Sequence, residues 1–401
     1  MRLPLPLLAL LAAMLPAPAA SQAEPVLLGR SGPTDGFLIP ANTGFSNNDV
    51  ALNDAGEAAL RLSSIGVAGD RGIWYGDGVT GQVVAMGDPA WFFTDADLNN
   101  AAEIVWAQTD TPADGVYGWD PVSDTVSLIT AEPLGTSSWG TVRINDAGTL
   151  GFRATFGGGG RAWVSRTAGG TVNIHAAEAA IQPGSPWDFL FTPSFNEAGQ
   201  IGGKALLVGG DANQIIRTEP DGSFVVLVSD QTADGTSPFT SFDNSPAIND
   251  FGHVGFIGSA NGQRGVWTGD GTSTTQLAGE GDDGVGDIEF FGPAIDNAGR
   301  VVFRAFENGG RRAIWLAEAG RTPQRLIGAG DLVDTDLGPA RIDSPSGIEF
   351  SGGVTINESG QVGFIAVLTA PDDVNDVYGL GVFRLAFATE LIFADGFESA
   401  E

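Results

Sequence analysis

The sequence predicts an all-β chain folded as a seven-bladed β-propeller of four-stranded antiparallel blades. Three observations carry that prediction. A short Asn-x-x-Gly motif recurs seven times, each copy is followed by strand-like alternation and a second hairpin, and the two chain ends complement each other as parts of one incomplete unit.

The motif runs Leu52-Asn53-Asp54-Ala55-Gly56, Leu98-Asn99-Asn100-Ala101-Ala102, Ile144-Asn145-Asp146-Ala147-Gly148, Phe195-Asn196-Glu197-Ala198-Gly199, Ile248-Asn249-Asp250-Phe251-Gly252, Ile295-Asp296-Asn297-Ala298-Gly299 and Ile356-Asn357-Glu358-Ser359-Gly360. Successive asparagine positions lie 46, 46, 51, 53, 47 and 61 residues apart. A period of this size marks an array of supersecondary units. An Asn or Asp opening the motif can bond its side chain to backbone two residues on, and the Gly three positions later can take the left-handed conformation that closes a turn. Alternating apolar runs follow, as in Gly151-Phe152-Arg153-Ala154 and Val301-Val302-Phe303-Arg304-Ala305, which read as strands.

About twenty residues after each asparagine comes a third apolar run, usually ending in tryptophan. Gly72-Ile73-Trp74, Tyr117-Gly118-Trp119, Arg161-Ala162-Trp163, Gly265-Val266-Trp267 and Ala313-Ile314-Trp315 are the clear cases; the fourth copy offers Gln214-Ile215-Ile216 and the last Gly381-Val382-Phe383. A Gly- or Asp-rich turn then leads to a fourth strand such as Val83-Val84-Ala85-Met86 or Val225-Val226-Leu227-Val228. Four short antiparallel strands per unit is the propeller-blade pattern. The seventh copy stops after its third strand, whereas the segment Pro25-Val26-Leu27-Leu28-Gly29-Arg30 looks like a fourth strand without a unit. An N-terminal strand completing the last blade closes the ring and removes an open edge. An open β-solenoid or two packed sheets are the alternative architectures.

The motif resembles the tandem repeat of secreted bacterial NxxGxxAF proteins of the choice-of-anchor type, and is similar to HAF-type extracellular repeats. Asn145-Gly148-Gly151-Phe152, Asn249-Gly252-Gly255-Phe256 and Asn357-Gly360-Gly363-Phe364 carry the resemblance best; Ala102, Trp106 and Gly203 depart from it. The resemblance implies an exported repeat protein and brings no catalytic residues with it.

Three segments are expected: a signal peptide over 1–23, the repeats over 24–388 and a tail over 389–401. Arg2 begins a basic-then-apolar stretch, Leu3 to Leu15, and Ser21-Gln22-Ala23 places small residues ahead of a cleavage point. The tail contains Ile392-Phe393-Ala394-Asp395-Gly396-Phe397-Glu398 and resembles the short terminal tags of exported gammaproteobacterial proteins. It is too short to span a membrane, and no later stretch has the run of apolar residues a membrane helix needs. The expected location is secreted or extracellular, with the periplasm as the alternative.

Charge narrows the partners. The formal net charge is −30, from 49 acidic and 19 basic residues, and Lys204 is the only lysine. Nucleic acid and anionic membrane surfaces both require a basic footprint, so neither is an expected partner. An extracellular polymer or a cell-surface protein is. There is no cysteine, which removes disulfides, thiolate metal sites and thiol nucleophiles.

No nucleophile elbow, zinc-binding helix or phosphate loop is present. His175 falls in a fourth strand and His253 at a position where other copies carry Glu57, Thr149, Gln200 or Arg300, so neither is expected to act as a base. The recurring tryptophans are expected in the core between blades, and the Asn-Asp pairs are expected to serve turn geometry. The less repetitive connections from each fourth strand to the next first strand are where binding is expected, because loops on a rigid scaffold carry it. Two are acidic: Glu280 to Asp287, and the stretch holding Asp331, Asp334 and Asp336. Oxygen ligands among glycines suit calcium, with Asp282, Asp283 and Asp287 as the candidate ligands and no other cofactor expected. The resulting reading is a non-enzymatic binding or surface-interaction protein. The alternatives are a structural envelope or matrix component and a polysaccharide-active hydrolase or lyase, for which paired carboxylates would suffice.

Overall fold

A computed structural model describes residues 24–33, 36–45 and 49–387; the expected signal peptide and C-terminal tail lie outside the described residues. The described residues form seven antiparallel sheets, six of them built from consecutive segments of the chain and the last shared between its two ends, and make a seven-bladed β-propeller. The third blade shows the plan most simply. Its strands Thr136–Ile144, Leu150–Phe156, Arg161–Arg166 and Val172–Ala177 pair in chain order from the inside outwards.

The motif is the turn between first and second strands, and each of its positions has a physical reason. The opening Asn or Asp accepts the backbone N–H four residues later in all seven copies, at 2.8–3.0 Å. The Gly lies in the left-handed region in the six copies that have it, for example Gly148 at φ 69°. Ala102 holds the same conformation at φ 60° in the second copy, where a side chain makes it costly by about 1–2 kcal/mol. Three residues on, a small residue lets the next blade approach: a Cβ on Gly151 would sit 2.4 Å from the Phe195 ring. The following Phe152, Phe256, Phe303 and Phe364 turn to the other side of the sheet and are fully buried.

The first strand extends further back than the motif indicates. In the second, fourth, fifth and sixth blades it continues after a break into an upper piece, Phe92–Phe93, Trp187–Leu190, Phe239–Phe242 and Val285–Ile288. Pro193, Pro246 and Pro293 fall in three of the breaks, where the missing N–H interrupts the ladder. The upper pieces contribute a second recurring apolar position, Phe93, Leu190, Phe242 and Ile288, matched in the other blades by Phe45, Trp139 and Phe350; all are buried. Much of what the sequence reads as irregular connection is therefore strand.

Closure follows the expected permutation. Val26–Ser31 pairs antiparallel with Asp373–Ala386 in the last blade, from Val26 opposite Arg384 to Ser31 opposite Leu380. The acidic connection holding Asp331, Asp334 and Asp336 is not irregular. It folds as a hairpin, Leu332–Thr335 and Gly338–Ile342, that adds to the same sheet. The Asp336 carboxylate in its turn receives a two-pronged pair from Arg30 of the closing strand, Nε to Oδ1 at 2.7 Å and Nη2 to Oδ2 at 2.6 Å, and Arg30 also donates to the Tyr378 carbonyl. Asp331 is engaged by Arg325.

Candidate functional site

Up-and-down blades place all first-to-second turns at one mouth of the central channel. There the residue after each motif asparagine points along the ring of blades. The N–H of Asp54 donates to Asn100, Asn100 to Asp146, Asp146 to Glu197, Glu197 to Asp250, Asp250 to Asn297, Asn297 to Glu358, and Glu358 back to Asp54, at 2.8–2.9 Å. Each acceptor is a side-chain oxygen of the next blade, so the seven bonds form a closed circle. A second series of bonds accompanies it and is broken at one blade. The amide of the motif asparagine donates to a backbone carbonyl of the following blade in six copies, as Asn249 does to Asp296 at 3.0 Å. Asp296, the seventh, has no N–H to give and pairs with Arg300 instead. The repeated Asn-Asp pair thus joins blades as well as shaping turns, a role that a turn reading of the sequence does not contain.

The circle concentrates charge. Five of its seven members are carboxylates, and Asn100 and Asn297 relieve part of the repulsion by donating to Asp54, Asp146 and Asp250. Glu197 and Glu358 get no such donor from an asparagine side chain. Burial, with Asp146, Asp250 and Asp97 nearby, pushes Glu197 up to about 7. Burial, with Asp296, Asp250 and Asp54, pushes Glu358 to about 7 as well.

On the inner strands of the first three blades, or just before them in the chain, are Asp49, Asp95, Asp97 and Arg143. Asp49 accepts the Gly353 N–H at 2.8 Å, and Asp97 accepts the Ile144 N–H at 2.9 Å with Arg143 alongside at 3.4 Å. Asp95 faces Arg61 at 3.2 Å. Burial raises the Asp95 and Asp97 carboxyls, and the two arginines oppose it. These carboxylates are committed to cross-blade pairing.

The two histidines are placed as follows. His175 is walled in between the third and fourth blades, its Nε2 2.8 Å from Ser165 Oγ and its Nδ1 3.3 Å from Thr218 Oγ1, and burial lowers it to about 4. His253 is exposed beside the ring turn of the fifth blade. Trp74, Trp119, Trp163 and Trp315 are buried in the blade cores.

Asp282 and Asp283 are exposed in the connection before Val285–Ile288, and Asp287 is exposed on that strand. Among the described residues no three or more Asp, Glu, His or Cys side chains gather into a group able to hold a metal ion. Three solvated carboxylates contribute little to affinity, so Asp283→Asn is expected to leave any calcium-induced shift in melting temperature unchanged. Differential scanning calorimetry with calcium and with chelator measures this, and a response lost in the variant would support the loop as a calcium site.

No helix among the described residues is long and apolar enough to cross a membrane. No curated protein matches the chain. Solved structures similar to it include TolB from Acinetobacter baumannii, at 16% identity and TM-score 0.43 over 67% of this chain, of which the chain spans 63%. YCF48 from Cyanidioschyzon merolae follows at 11% identity and TM-score 0.46, covering 87% of this chain and 97% of its own. The polysaccharide lyase Uly1 has 10% identity and TM-score 0.48, over 91% and 97%. One family model, described as a family of unknown function, matches residues 144–397.

Proposed function

The chain belongs to that family of unknown function, DUF7453, and we propose that it is an exported, non-enzymatic interaction protein that docks its partner on the channel mouth opposite the carboxylate circle. The carrying observation is where apolar side chains are exposed. The upper strand pieces and blade-to-blade connections on that face present Phe92, Leu134, Phe290, Leu332, Leu337 and Ile348, and the second-to-third turns add Val67 and Val208. Among the described residues, the turns of the opposite mouth present only Val79, Val122 and Phe251 of the exposed large hydrophobics. Exposed apolar side chains gathered on one face mark interaction sites, whereas scattered ones carry no meaning. Connections on a rigid scaffold also vary without disturbing the blades.

The reading accords with the signal-like N-terminus and with the resemblance to exported NxxGxxAF repeat proteins. Its partner class is an extracellular polymer or a cell-surface protein. A photo-crosslinking residue at position 290, compared with one at position 251, tests it on intact producing cells. A reproducible adduct from position 290, absent from position 251 and suppressed by a second-site Leu134→Asp change, is expected. Equal labelling from both positions, or from neither, would overturn the choice of face.

A further inference from the structure

The repeat supplies an internal comparison that isolates one residue. Eight positions after the motif asparagine or aspartate, four blades carry a cation on the second strand: Arg61, Arg153, Lys204 and Arg304. Three of them reach across to the inner strand of the next blade. Arg61 donates to the Phe93 carbonyl at 3.0 Å and faces Asp95. Lys204 donates to the Phe242 carbonyl at 2.9 Å and to Asn244 Oδ1 at 3.1 Å. Arg304 donates to the Gly352 carbonyl and pairs with Glu289. In each case an oxygen two residues after the buried hub residue, Phe93, Phe242 or Phe350, meets the cation.

Arg153 breaks the series. It stands opposite Trp163 on the neighbouring strand, on the sheet face that the fourth blade covers. The Phe191 carbonyl of that blade is already taken by Trp163 Nε1 at 3.0 Å. The residue two after the hub Leu190 is Thr192, where the second blade has Asp95 and the fifth Asn244. Arg153 Nε is buried without a hydrogen-bond partner. Its neighbour Arg161 is already neutralised by Glu178, at 3.4 Å, and lies over the Phe189 ring. Among the arginine and lysine side chains of the described residues, only those of Arg153 and the exposed Arg311 make neither a hydrogen bond nor an ion pair. On the inner side Gly140 presents no side chain, and a Cβ there would sit 3.7 Å from Arg153 Nη2.

We infer that Arg153 is the receptor for a carboxylate of an external ligand, which fills between the third and fourth blades the place that Asp95 fills between the first and second. A planar guanidinium offers paired donors that match a carboxylate. A chain of net charge −30 repels a phosphate dianion more than a monoanionic carboxylate, which favours the smaller charge. Burial and the Arg161 charge lower the Arg153 pKa, and the Glu178 carboxylate, which pairs with Arg161, offsets them only in part. This ligand lies between blades and not on the apolar face, so failure of the docking reading leaves the inference standing.

The test is the melting temperature of the mature protein titrated with sodium glucuronate against sodium chloride at matched ionic strength. The parent is expected to show a saturable rise of a few degrees, because a ligand that binds only the folded state stabilises it by mass action. Arg153→Gln should abolish the rise. Thr192→Asp supplies the carboxylate internally, so it should melt higher than the parent without ligand and no longer respond to glucuronate. A parent that does not respond, a response of equal size in all three proteins, or a larger response to inorganic phosphate would each overturn the assignment.

Discussion

Removing residues 25–30 is expected to make the protein aggregate, or to leave a species that melts far below the parent. The segment is the outer strand of the last blade, and its loss exposes the edge of Asp373–Ala386 over the whole register from Arg384 to Leu380. It also removes Leu27 and Leu28, both buried in inter-blade cores. An unpaired strand edge beside bared apolar surface is a template for aggregation. A point change separates edge loss from pairing loss. Asp336→Asn leaves the strand in place but removes one carboxylate that pairs with Arg30, whose side chain is 2% exposed. Losing one partner of a buried ion pair costs up to about 3–5 kcal/mol, and the partners Arg30 keeps, the Tyr378 carbonyl among them, place the expected loss below that range. Calorimetric melting and size-exclusion chromatography measure both. A truncated protein that melts like the parent would show that the ring does not depend on the closing strand.

The second large effect is on pH dependence. Glu197 and Glu358 have pKa values near 7 in the folded protein against 4.5 for an unperturbed glutamate. Between those values the folded state holds more protons than the unfolded one, so stability falls as pH rises. Their contribution is complete below about 4.5 and is lost as pH passes through about 7. Both groups are about half buried, so solvent screening reduces the effect to about 1 kcal/mol each. Glu197→Gln and Glu358→Gln keep an oxygen to accept the Asp146 and Asn297 N–H groups but remove the charge. The double variant should therefore be more stable than the parent at pH 8, by about 2 kcal/mol, and equal to it near pH 4. Chemical denaturation across that range gives the comparison. A parent whose stability rises from pH 5 to pH 8, with the variant following it in parallel, would rule out the carboxylate circle as the source.

The sequence by itself determined the number of blades, their strand count, the turn at each motif and the permutation that closes the ring. All of these depend on local periodicity and on residues with one dominant conformational use. Gly148 and its equivalents are legible as left-handed turn residues because no other side chain adopts that conformation cheaply. The burial of Trp74 and Trp163 is legible because they recur at one place in the unit. The connections were not legible. Their apolar hub positions shift by one or two residues relative to the motif, as Phe93, Phe242 and Ile288 show, and prolines break the strands that contain them. Asp336 reads as one more acid in an acidic link, because its partner Arg30 lies 306 residues away.

Only the tertiary structure decided which polar residues meet. Asp54 and its equivalents look like turn residues in one unit, since the turn uses the neighbouring asparagine and leaves them pointing outward. Their acceptors exist only when the next blade arrives, and the circle exists only when the seventh blade reaches the first through Glu358 and Asp54. The same holds for Arg153. Nothing in its own strand distinguishes it from Arg61 or Arg304. It lacks a partner because the fourth blade brings Thr192 where the second brings Asp95, and a pairing between units is a property of the closed ring, which no single repeat contains.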